Sequence, residues 1–293
     1  MTNSLPLDAH VIGFIGLGLM GKPMARNLHK AGAQVIAHNR SQAAVDELAG
    51  EGMTPASSPT EVMGQAKTVI LMLPDTGAVE TILEAIIPAV TPGDLIIDMG
   101  TTEATLTRTM AARIEAAGGA YVDAPVSGGT IGAENATLSI MAGGSNNAVE
   151  RARPILEAMG SRVVHVGTVG AGQVAKAANQ VIVGLTISAV SEALKLAERA
   201  GADPARVREA LKGGFADSRI LEVHGQRMID GDFTPGGKCV TQRKDLDQAL
   251  KLGRECGLEL PTTAQVMGQY DRVIEAGFGD LDHAALIKIF DLP

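Results

Sequence analysis

Residues 11–21 read VIGFIGLGLMG, and the prediction of the fold starts from them. An apolar run over 11–15 leads directly into Gly16, Gly18 and Gly21, and a helical pattern follows over 20–31. In GxGxxG spacing, the first glycine allows a tight turn, the second lets the backbone approach a pyrophosphate, and the third lets helix and strand pack closely. The N–H groups at the start of the helix then attract phosphate. A glycine-rich turn without a ligand is the alternative, but the strand and helix stand where a dinucleotide site requires them. The predicted cofactor contacts here are Gly16, Leu17, Gly18, Leu19, Met20 and Gly21.

The second predicted strand, 34–37, leads into His38, Asn39, Arg40 and Ser41. NAD-binding folds commonly carry a carboxylate near this point to hold the ribose 2′-hydroxyl. No carboxylate stands here, whereas Arg40 can pair with a 2′-phosphate and stack on the adenine. We therefore expect NADP(H) in preference to NAD(H), which stays open, with Asn39, Arg40 and Ser41 as contacts. The alternative is that Arg40 is a solvated residue at the end of a strand.

The glycine stretch opens a long alternation of strand and helix patterns. Strands are predicted at 11–15, 34–37, 68–73, 95–99, 120–122, 138–142 and 162–165, with helices at 41–50, 77–90, 103–117 and 146–159. Strands alternating with helices of this length indicate a parallel sheet. From 173 to 200 one long helical pattern follows, and further helices are predicted at 204–212, 220–229, 244–256, 261–276 and 283–289. We expect an α/β Rossmann-type domain over 1–170 and an all-helical domain over 171–293, joined by the long helix.

Composition narrows the class of protein. The 293 residues exceed the usual size of one domain, and the net charge of −8 argues against a general nucleic-acid binder. Cys239 and Cys256 form no metal-ligand spacing, so no metal is expected and both read as reduced thiols. The amino-terminal stretch MTNSLPLDAH lacks a signal pattern, and no uncharged apolar run reaches a membrane-spanning length. These features predict a soluble, cytoplasmic protein without a membrane partner.

Six stretches, in this order along the chain, resemble the β-hydroxyacid dehydrogenase family. They are GFIGLGLMGKPMARNL, MLPD, DAPVSGGTIGAENATLSIMAGG, GAGQVAKAANQ, SEALKLAERAG and KDLDQAL, spanning residues 13 to 250. The family includes the 3-hydroxyisobutyrate dehydrogenases, the tartronate semialdehyde reductases and the glyoxylate/succinic semialdehyde reductases, and the more distant 6-phosphogluconate dehydrogenase shares its plan. Within the family, residues 175–201 look most like the tartronate semialdehyde reductases. Several motifs in the right order are far more specific than any one of them.

The resemblance implies an oxidoreductase that moves a hydride between NADP(H) and a small β-hydroxyacid or semialdehyde. It implies that Lys176 is the catalytic lysine, and that Ser127, Gly128 and Gly129 hold the substrate carboxylate with Asn179 beside the substrate. It further implies cofactor contacts at Leu73, Pro74, Thr101 and Lys244. Tartronate semialdehyde, glyoxylate, succinic semialdehyde and 3-hydroxyisobutyrate all fit such a pocket. Family members are dimers or tetramers, so a homo-oligomer is expected.

The residues around Lys176 agree with a chemical role. Asn179 and Gln180 lie three and four positions further along the predicted helix and share its face, which makes Gln180 a second substrate candidate. The neighbouring residues are small or apolar, and such surroundings disfavour the charged form of a lysine, whereas a nearby anion favours it. From the local sequence alone, a lysine whose stem covers apolar surface is an equal reading. Glycines at 128 and 129 allow close approach of an anion, although a plain turn has the same composition.

Two departures from the family pattern bear on the substrate. Relatives usually carry an aromatic residue where this chain has Gly237, which is expected to loosen the wall of the substrate pocket, and Ala136 replaces a common glycine. Two other functions are open: an imine reductase of the same architecture, and a non-catalytic dinucleotide-binding scaffold. Imine reductases generally lack the lysine found at 176, and a scaffold would be expected to have lost it. The presence of Lys176 therefore favours the dehydrogenase.

Overall fold

A computed structural model describes residues 6–292 of the chain. The expectation that no signal sequence is present rests partly on residues 1–5, which lie outside the described residues. The fold divides into two compact units, one up to Lys176 and one from Ala177 onward. The predicted domain boundary after residue 170 stays a prediction, because one helix runs from 171 through the division.

The first unit contains a mixed sheet. Its strands are β1 Val11–Ile15, β2 Gln34–His38, β3 Thr54–Pro55, β4 Thr68–Leu71, β5 Leu95–Asp98, β6 Ala120–Asp123, β7 Val126–Ser127, β8 Ser139–Gly143 and β9 Arg162–Gly167. Their order is β3-β2-β1-β4-β5-β6-β8-β7, and β9 pairs with β8. The strands from β3 to β6 in this order are parallel, as the alternation predicts, and β9 is parallel to β8. The predicted strands over 138–142 and 162–165 are therefore present.

Strand β8 differs from the expectation of a parallel sheet, because it runs antiparallel to both β6 and β7. A parallel neighbour of β6 would need a full crossover connection, whereas an antiparallel neighbour does not. The chain between β6 and β8 holds only the two-residue strand β7 and a short helix, Gly129–Glu134. The reversal therefore follows from the short connection.

Helices cover both faces of the sheet. They are α1 Gly21–Lys30, α2 Gln42–Gly50, α3 Pro59–Gln65, α4 Thr76–Ile86, α5 Ala104–Ala116, α6 Gly129–Glu134 and α7 Asn146–Glu157, with a 3-10 turn at Ile87–Ala89. Successive side chains of a strand point to opposite faces. Ile12 and Phe14 accordingly join the core that contains residues of α1, α2 and α7, whereas Ile15 joins the core that contains residues of α3, α4 and α5. Each buried side chain of this size contributes about 1.5–3 kcal/mol.

Helix α3 was not predicted from the hydrophobic periodicity of the sequence, although its capping residues are a signal for it. Ser58 accepts a hydrogen bond from the N–H of Glu61, and Pro59 stands in the first turn. The Glu61 carboxylate in turn accepts the N–H of Ser57. This arrangement is a variant of the capping box, in which a serine and a glutamate three residues later satisfy the first N–H groups of a helix. The helix has only seven residues, too few for an apolar stripe to stand out.

The second unit is helical. The long helix α8, Ala171–Arg199, continues into it and is followed by α9 Pro204–Leu211, α10 Arg219–Asp230, α11 Cys239–Glu255 and α12 Pro261–Val273, with a π-helical segment Ile274–Phe278 and a 3-10 helix His283–Asp291. Its core brings together Ile187, Leu246 and Tyr270. Helix α11 begins at Cys239, five residues before the predicted start at 244. Both cysteines are free thiols, in agreement with the sequence prediction.

Helix α8 is also the one helix among residues 6–292 that is long and apolar enough to cross a membrane. Of its most apolar window, 44% is buried inside the protein. The core helix of a soluble protein has the same length and composition, so this feature is weak support for a membrane role.

A buried carboxylate ties the sheet to the start of α8. Asp123, the last residue of β6, is fully buried and accepts hydrogen bonds from the N–H groups of Gly170 at 2.7 Å and Gln173 at 2.9 Å. Burial raises the pKa of Asp123 to about 7, and the nearby charge of Asp98 adds to the rise, while the backbone hydrogen bonds oppose it. A raised pKa means that the folded state holds this proton more tightly than the unfolded chain does.

Replacing Asp123 with asparagine is expected to change how stability depends on pH. In the wild type, the free energy of unfolding should fall by about 1.4 kcal/mol per pH unit, relative to D123N, between the unfolded pKa near 4 and the folded value near 7. The reason is that the unfolded chain releases the proton across this window and the folded protein does not. Urea denaturation at several pH values measures the difference. The exposed control E115Q should follow the wild-type slope, and parallel curves for D123N would contradict the shift.

Candidate functional site

The glycine turn joins β1 to α1 at the carboxyl edge of the sheet. Gly16 has φ +104°, a conformation open to glycine, and its N–H donates to the carbonyl oxygen of His38 at 3.0 Å. A Cβ added to Gly21 would lie 1.9 Å from the carbonyl oxygen of Gly16, so no larger residue fits there. Gly18 is different, because it is exposed and an added Cβ would meet no atom within 4 Å. The packing of the chain itself therefore requires glycine at 16 and 21 but gives no reason for glycine at 18.

The predicted contacts that follow β2 lie next to this turn. Ile15 and His38 are register partners, so β1 and β2 end side by side. The side-chain oxygen of Asn39 accepts the N–H of Leu17 at 3.0 Å, and its amide donates to the carbonyl oxygen of Ser41 at 3.2 Å. Arg40 is exposed. The structure thus brings Asn39, Arg40 and Ser41 to the edge where Leu19 is also exposed.

The contacts predicted after β4 and β5 lie along the same edge. Strand β4 ends at Leu71, two residues earlier than expected, so Leu73 and Pro74 belong to the loop. Thr101 belongs to the loop after β5. Its neighbours are held by Gln173 of α8, which accepts the N–H of Thr102 at 3.0 Å and donates to the carbonyl oxygen of Gly100 at 3.0 Å. Gln173 was not singled out in the sequence, because nothing local shows that its side chain reaches a loop seventy residues away.

Lys176 and the Ser127–Gly129 segment meet in the first unit. The Lys176 ammonium donates a hydrogen bond to the carbonyl oxygen of Val126 at 2.8 Å, and the side chain is only 8% exposed. Val126 directly precedes Ser127, so the amine lies at the start of this segment. Gly128 and Gly129 are exposed and have φ values of +136° and +61°. Such values favour glycine strongly, so the two glycines have a conformational reason to be there.

The helical unit holds the remaining candidates in one hydrogen-bonded network. Asn179 donates to the side-chain oxygen of Gln180 at 2.7 Å, and Gln180 donates to the buried carboxylate of Asp245 at 2.6 Å. Lys244 forms an ion pair with the same carboxylate at 3.1 Å. Gln242 adds a hydrogen bond from Gln180 at 3.1 Å. Asp245 and Gln242 were not predicted. The available signal was the KDLDQAL stretch of α11, which contains Asp245 and begins two residues after Gln242.

Gly237, where relatives usually carry an aromatic residue, lies next to the ring of His283. A Cβ added to Gly237 would lie 3.5–3.8 Å from ring atoms of His283. The imidazole therefore occupies part of the space that a side chain at 237 would enter. The predicted effect of this glycine on a substrate pocket stays a prediction.

The first unit combines features expected of a dinucleotide site with a buried lysine. A turn with an exposed glycine opens a helix, and an exposed arginine follows the next strand. A buried lysine donates a hydrogen bond to the carbonyl oxygen of Val126, two residues before the first of two exposed glycines. Helix α1 has no acidic residue in its first turn, so nothing there repels a phosphate. These features define an NAD(P)-dependent oxidoreductase of the Rossmann class.

Comparison with protein families gives the particular family. Residues 11–167 match the NAD-binding domain of 6-phosphogluconate dehydrogenase, and residues 170–290 match the NAD-binding domain of NADP-dependent 3-hydroxyisobutyrate dehydrogenase. The chain belongs to the β-hydroxyacid dehydrogenase family, as its motifs predict. NAD(P) is accordingly the cofactor class, with some relatives using NAD.

Similar proteins cover nearly the whole chain. A 2-hydroxy-3-oxopropionate reductase of Escherichia coli K12 is 45% identical over 284 residues, covering 96% of this chain and 97% of the relative. An NAD-dependent L-serine dehydrogenase of Pseudomonas aeruginosa is 33% identical, covering 96% of this chain and 97% of the relative. Among solved structures, Mycobacterium tuberculosis 3-hydroxyisobutyrate dehydrogenase with L-serine superposes with a TM-score of 0.89 at 32% identity, covering 97% of this chain and 99% of that one.

Two alanine substitutions in the glycine turn should distinguish a glycine that packing requires, Gly21, from one that packing does not require, Gly18. Gly21→Ala is expected to lower the free energy of unfolding by about 2 kcal/mol or more, because its methyl group would overlap the carbonyl oxygen of Gly16. Gly18→Ala should stay within about 1 kcal/mol of the wild type, because its methyl group meets nothing. Urea denaturation of the purified variants measures both. Equal destabilisation by the two substitutions would contradict the assigned packing.

Proposed function

We propose that this protein is an NADPH-dependent reductase of a small semialdehyde carboxylate, with 2-hydroxy-3-oxopropionate (tartronate semialdehyde) as the first substrate to test. The observation that carries the proposal is the position of Lys176, whose amine is buried 2.8 Å from the carbonyl of Val126, directly before Ser127–Gly129. The full-length identity of 45% to a 2-hydroxy-3-oxopropionate reductase supports the choice of substrate.

The glycine turn fits the pyrophosphate of a dinucleotide. Gly18 is exposed and lacks a packing reason to be glycine, which is expected where a ligand approaches the backbone. In our proposal the cofactor-binding residues are those of the turn, together with Asn39, Arg40, Ser41, Leu73, Pro74, Thr101 and Lys244. The bound cofactor supplies the hydride, or accepts it in the reverse direction.

The chain's own residues supply position and a proton. Ser127, Gly128 and Gly129 would bind the substrate carboxylate, because the exposed glycines allow an anion to approach the backbone closely. The Lys176 ammonium would donate a proton to the carbonyl oxygen during reduction, and its neutral amine would accept the hydroxyl proton during oxidation. Asn179 would contact the substrate, held in place by Gln180 and through it by Asp245.

Arg40 supports NADPH as the preferred cofactor. It is exposed at the end of β2, beside the turn, and carries the positive charge that a 2′-phosphate needs. The relative named as an NAD-dependent L-serine dehydrogenase is the reason to measure both cofactors.

We further propose that the protein acts in the cytoplasm as a homodimer or homotetramer. Large apolar side chains are exposed on the helical unit, among them Ile182 at 67% and Leu196 at 71%. Both belong to α8, and in our proposal contact with a second copy of the chain would cover them. Two free cysteines agree with a reducing compartment.

Replacing Lys176 tests the proposed chemistry. Lys176→Ala is expected to lower kcat for 2-hydroxy-3-oxopropionate by about a hundredfold or more, because the proton donor is lost. The Kd for NADPH should change little, since the glycine turn is intact. The measurement is NADPH oxidation at saturating substrate, together with NADPH binding by fluorescence. Lys195→Ala, a second lysine on the same helix, is the matched control and should keep the wild-type kcat.

The same assay separates the alternative functions. Glyoxylate, succinic semialdehyde and 3-hydroxyisobutyrate with NADP⁺ extend the substrate panel, and a cyclic imine tests for imine reduction. Unimpaired turnover by Lys176→Ala would defeat the role of the lysine. Tight NADPH binding without turnover of any semialdehyde would favour a dinucleotide-binding scaffold instead.

Replacing Arg40 with glutamate tests the cofactor preference. The ratio of kcat/KM for NADPH to that for NADH should fall by about tenfold or more, because a charge-assisted contact is replaced by repulsion of the 2′-phosphate. Steady-state kinetics with both cofactors measures the ratio. The control Arg162→Glu, an exposed arginine at the start of β9, should leave it unchanged. An unaltered ratio in Arg40→Glu would show that Arg40 does not contact the phosphate.

A further inference from the structure

Two histidines and an aspartate meet in the helical unit, outside the residues proposed for catalysis. His224 belongs to α10, and Asp282 and His283 stand at the start of the 3-10 helix His283–Asp291. The Nε2 atoms of the two imidazoles are 3.3 Å apart. One ring nitrogen of each histidine and one carboxylate oxygen of Asp282 also lie within 4.8 Å of one another. No local sequence pattern predicts this cluster, because 59 residues separate His224 from His283.

The separation of the two nitrogens suits a metal ion. Zinc binds imidazole nitrogen at about 2.0–2.1 Å in a tetrahedral arrangement, so two such ligands lie about 3.3–3.4 Å apart. The two rings are in edge-to-face contact, with their planes at 86° and their centroids 4.5 Å apart. Without an ion, the pair can share one N–H between its two nitrogens. An ion would use the lone pairs of both.

Asp282 is placed to orient one of the rings. Its Oδ2 accepts a hydrogen bond from the Arg227 guanidinium at 3.0 Å and further hydrogen bonds from the N–H groups of Gly236 and Gly237. Its Oδ1 accepts a hydrogen bond from the N–H of Ala284 at 3.0 Å. The buried Nδ1 of His224 has no hydrogen-bond partner among residues 6–292 and lies 3.5 Å from Oδ1. With its proton on this Nδ1, facing the carboxylate, the His224 ring carries on Nε2 the lone pair that a metal ion would use. A carboxylate behind a metal-binding histidine is a common outer-shell arrangement.

We propose that His224 and His283 bind one divalent late first-row transition metal ion through their Nε2 atoms, with Asp282 fixing the His224 ring and water filling the remaining positions. Imidazole nitrogen selects Zn²⁺, Cu²⁺, Ni²⁺ or Co²⁺, whereas Mg²⁺ and Ca²⁺ prefer oxygen. The charge of Arg227 beside Asp282 repels a cation and keeps the site weaker than a dedicated zinc centre. The ion would cross-link α10 to the 3-10 helix and so stabilise the folded state.

The test is titration of Zn²⁺ into the full-length protein, prepared without a histidine tag and freed of metal with a chelator. Calorimetry should give one ion per chain, and the melting temperature should rise with Zn²⁺ but not with Mg²⁺. His224→Gln and His283→Gln should each weaken Zn²⁺ binding by about tenfold or more. His165→Gln, in the first unit, is the matched control and should bind like the wild type.

Two further measurements keep the outcome clear. The melting temperature of each variant without metal shows that it folds, and His224→Gln, which replaces a partly exposed side chain, carries the test if His283→Gln does not fold. The absorption spectrum of the Co²⁺ form separates nitrogen and oxygen ligands from the thiolate of the exposed Cys256. Failure of the wild-type protein to bind Zn²⁺ saturably, unchanged Zn²⁺ binding in folded His224→Gln, or a thiolate spectrum would each overturn the proposal.

Discussion

The contact between Gly21 and the carbonyl oxygen of Gly16 is the constraint on which the nucleotide-binding half depends. A Cβ at 21 would lie 1.9 Å from that oxygen, so the first turn of α1 is pressed against the end of β1. Met24, Ala25 and Leu28 of this helix are thereby buried against the sheet. The approach that closes this core also leaves Gly18 at the exposed bend of the turn. Packing thus explains glycine at 16 and 21, whereas glycine at 18 is explained only by the proposed contact with a ligand.

The start of α8 is held by a second set of contacts, all made to the sheet edge. Asp123 accepts N–H groups from Gly170 and Gln173, and Gln173 holds the loop after β5 through Gly100 and Thr102. One helical turn later, the amine of Lys176 donates a hydrogen bond to the carbonyl oxygen of Val126. The position of this amine therefore depends on buried polar contacts that cost free energy if left unpaired. Asp123, whose pKa is raised by burial, is one of these buried polar groups at the start of α8.

The sequence predicted long, periodic elements well and short ones poorly. Helix α8 and the strands on either side of α1 carry strong patterns and lie where expected, whereas α3 has too few residues for a pattern and is marked only by its capping residues. The start of α11 at Cys239 was missed by five residues, because Lys238 before it makes no side-chain cap that a sequence would reveal. The reversed direction of β8 was missed as well, since hydrophobic pattern does not encode strand direction.

Four features could be predicted from the amino-acid sequence: the strand–turn–helix unit, the alternation that builds the sheet, the family and the candidate lysine. Each of these four features depends on residues that are close together in the sequence, or on motifs that occur in a fixed order. The hydrogen bond from the Lys176 amine to a carbonyl oxygen fifty residues away is visible only in the three-dimensional structure. So is the hydrogen bond from Gln180 to the carboxylate of Asp245. The same holds for His224 and His283, whose rings meet across 59 residues. Side chains so far apart in sequence are brought together by packing of the apolar faces around them, and no local pattern records which polar groups that packing will pair.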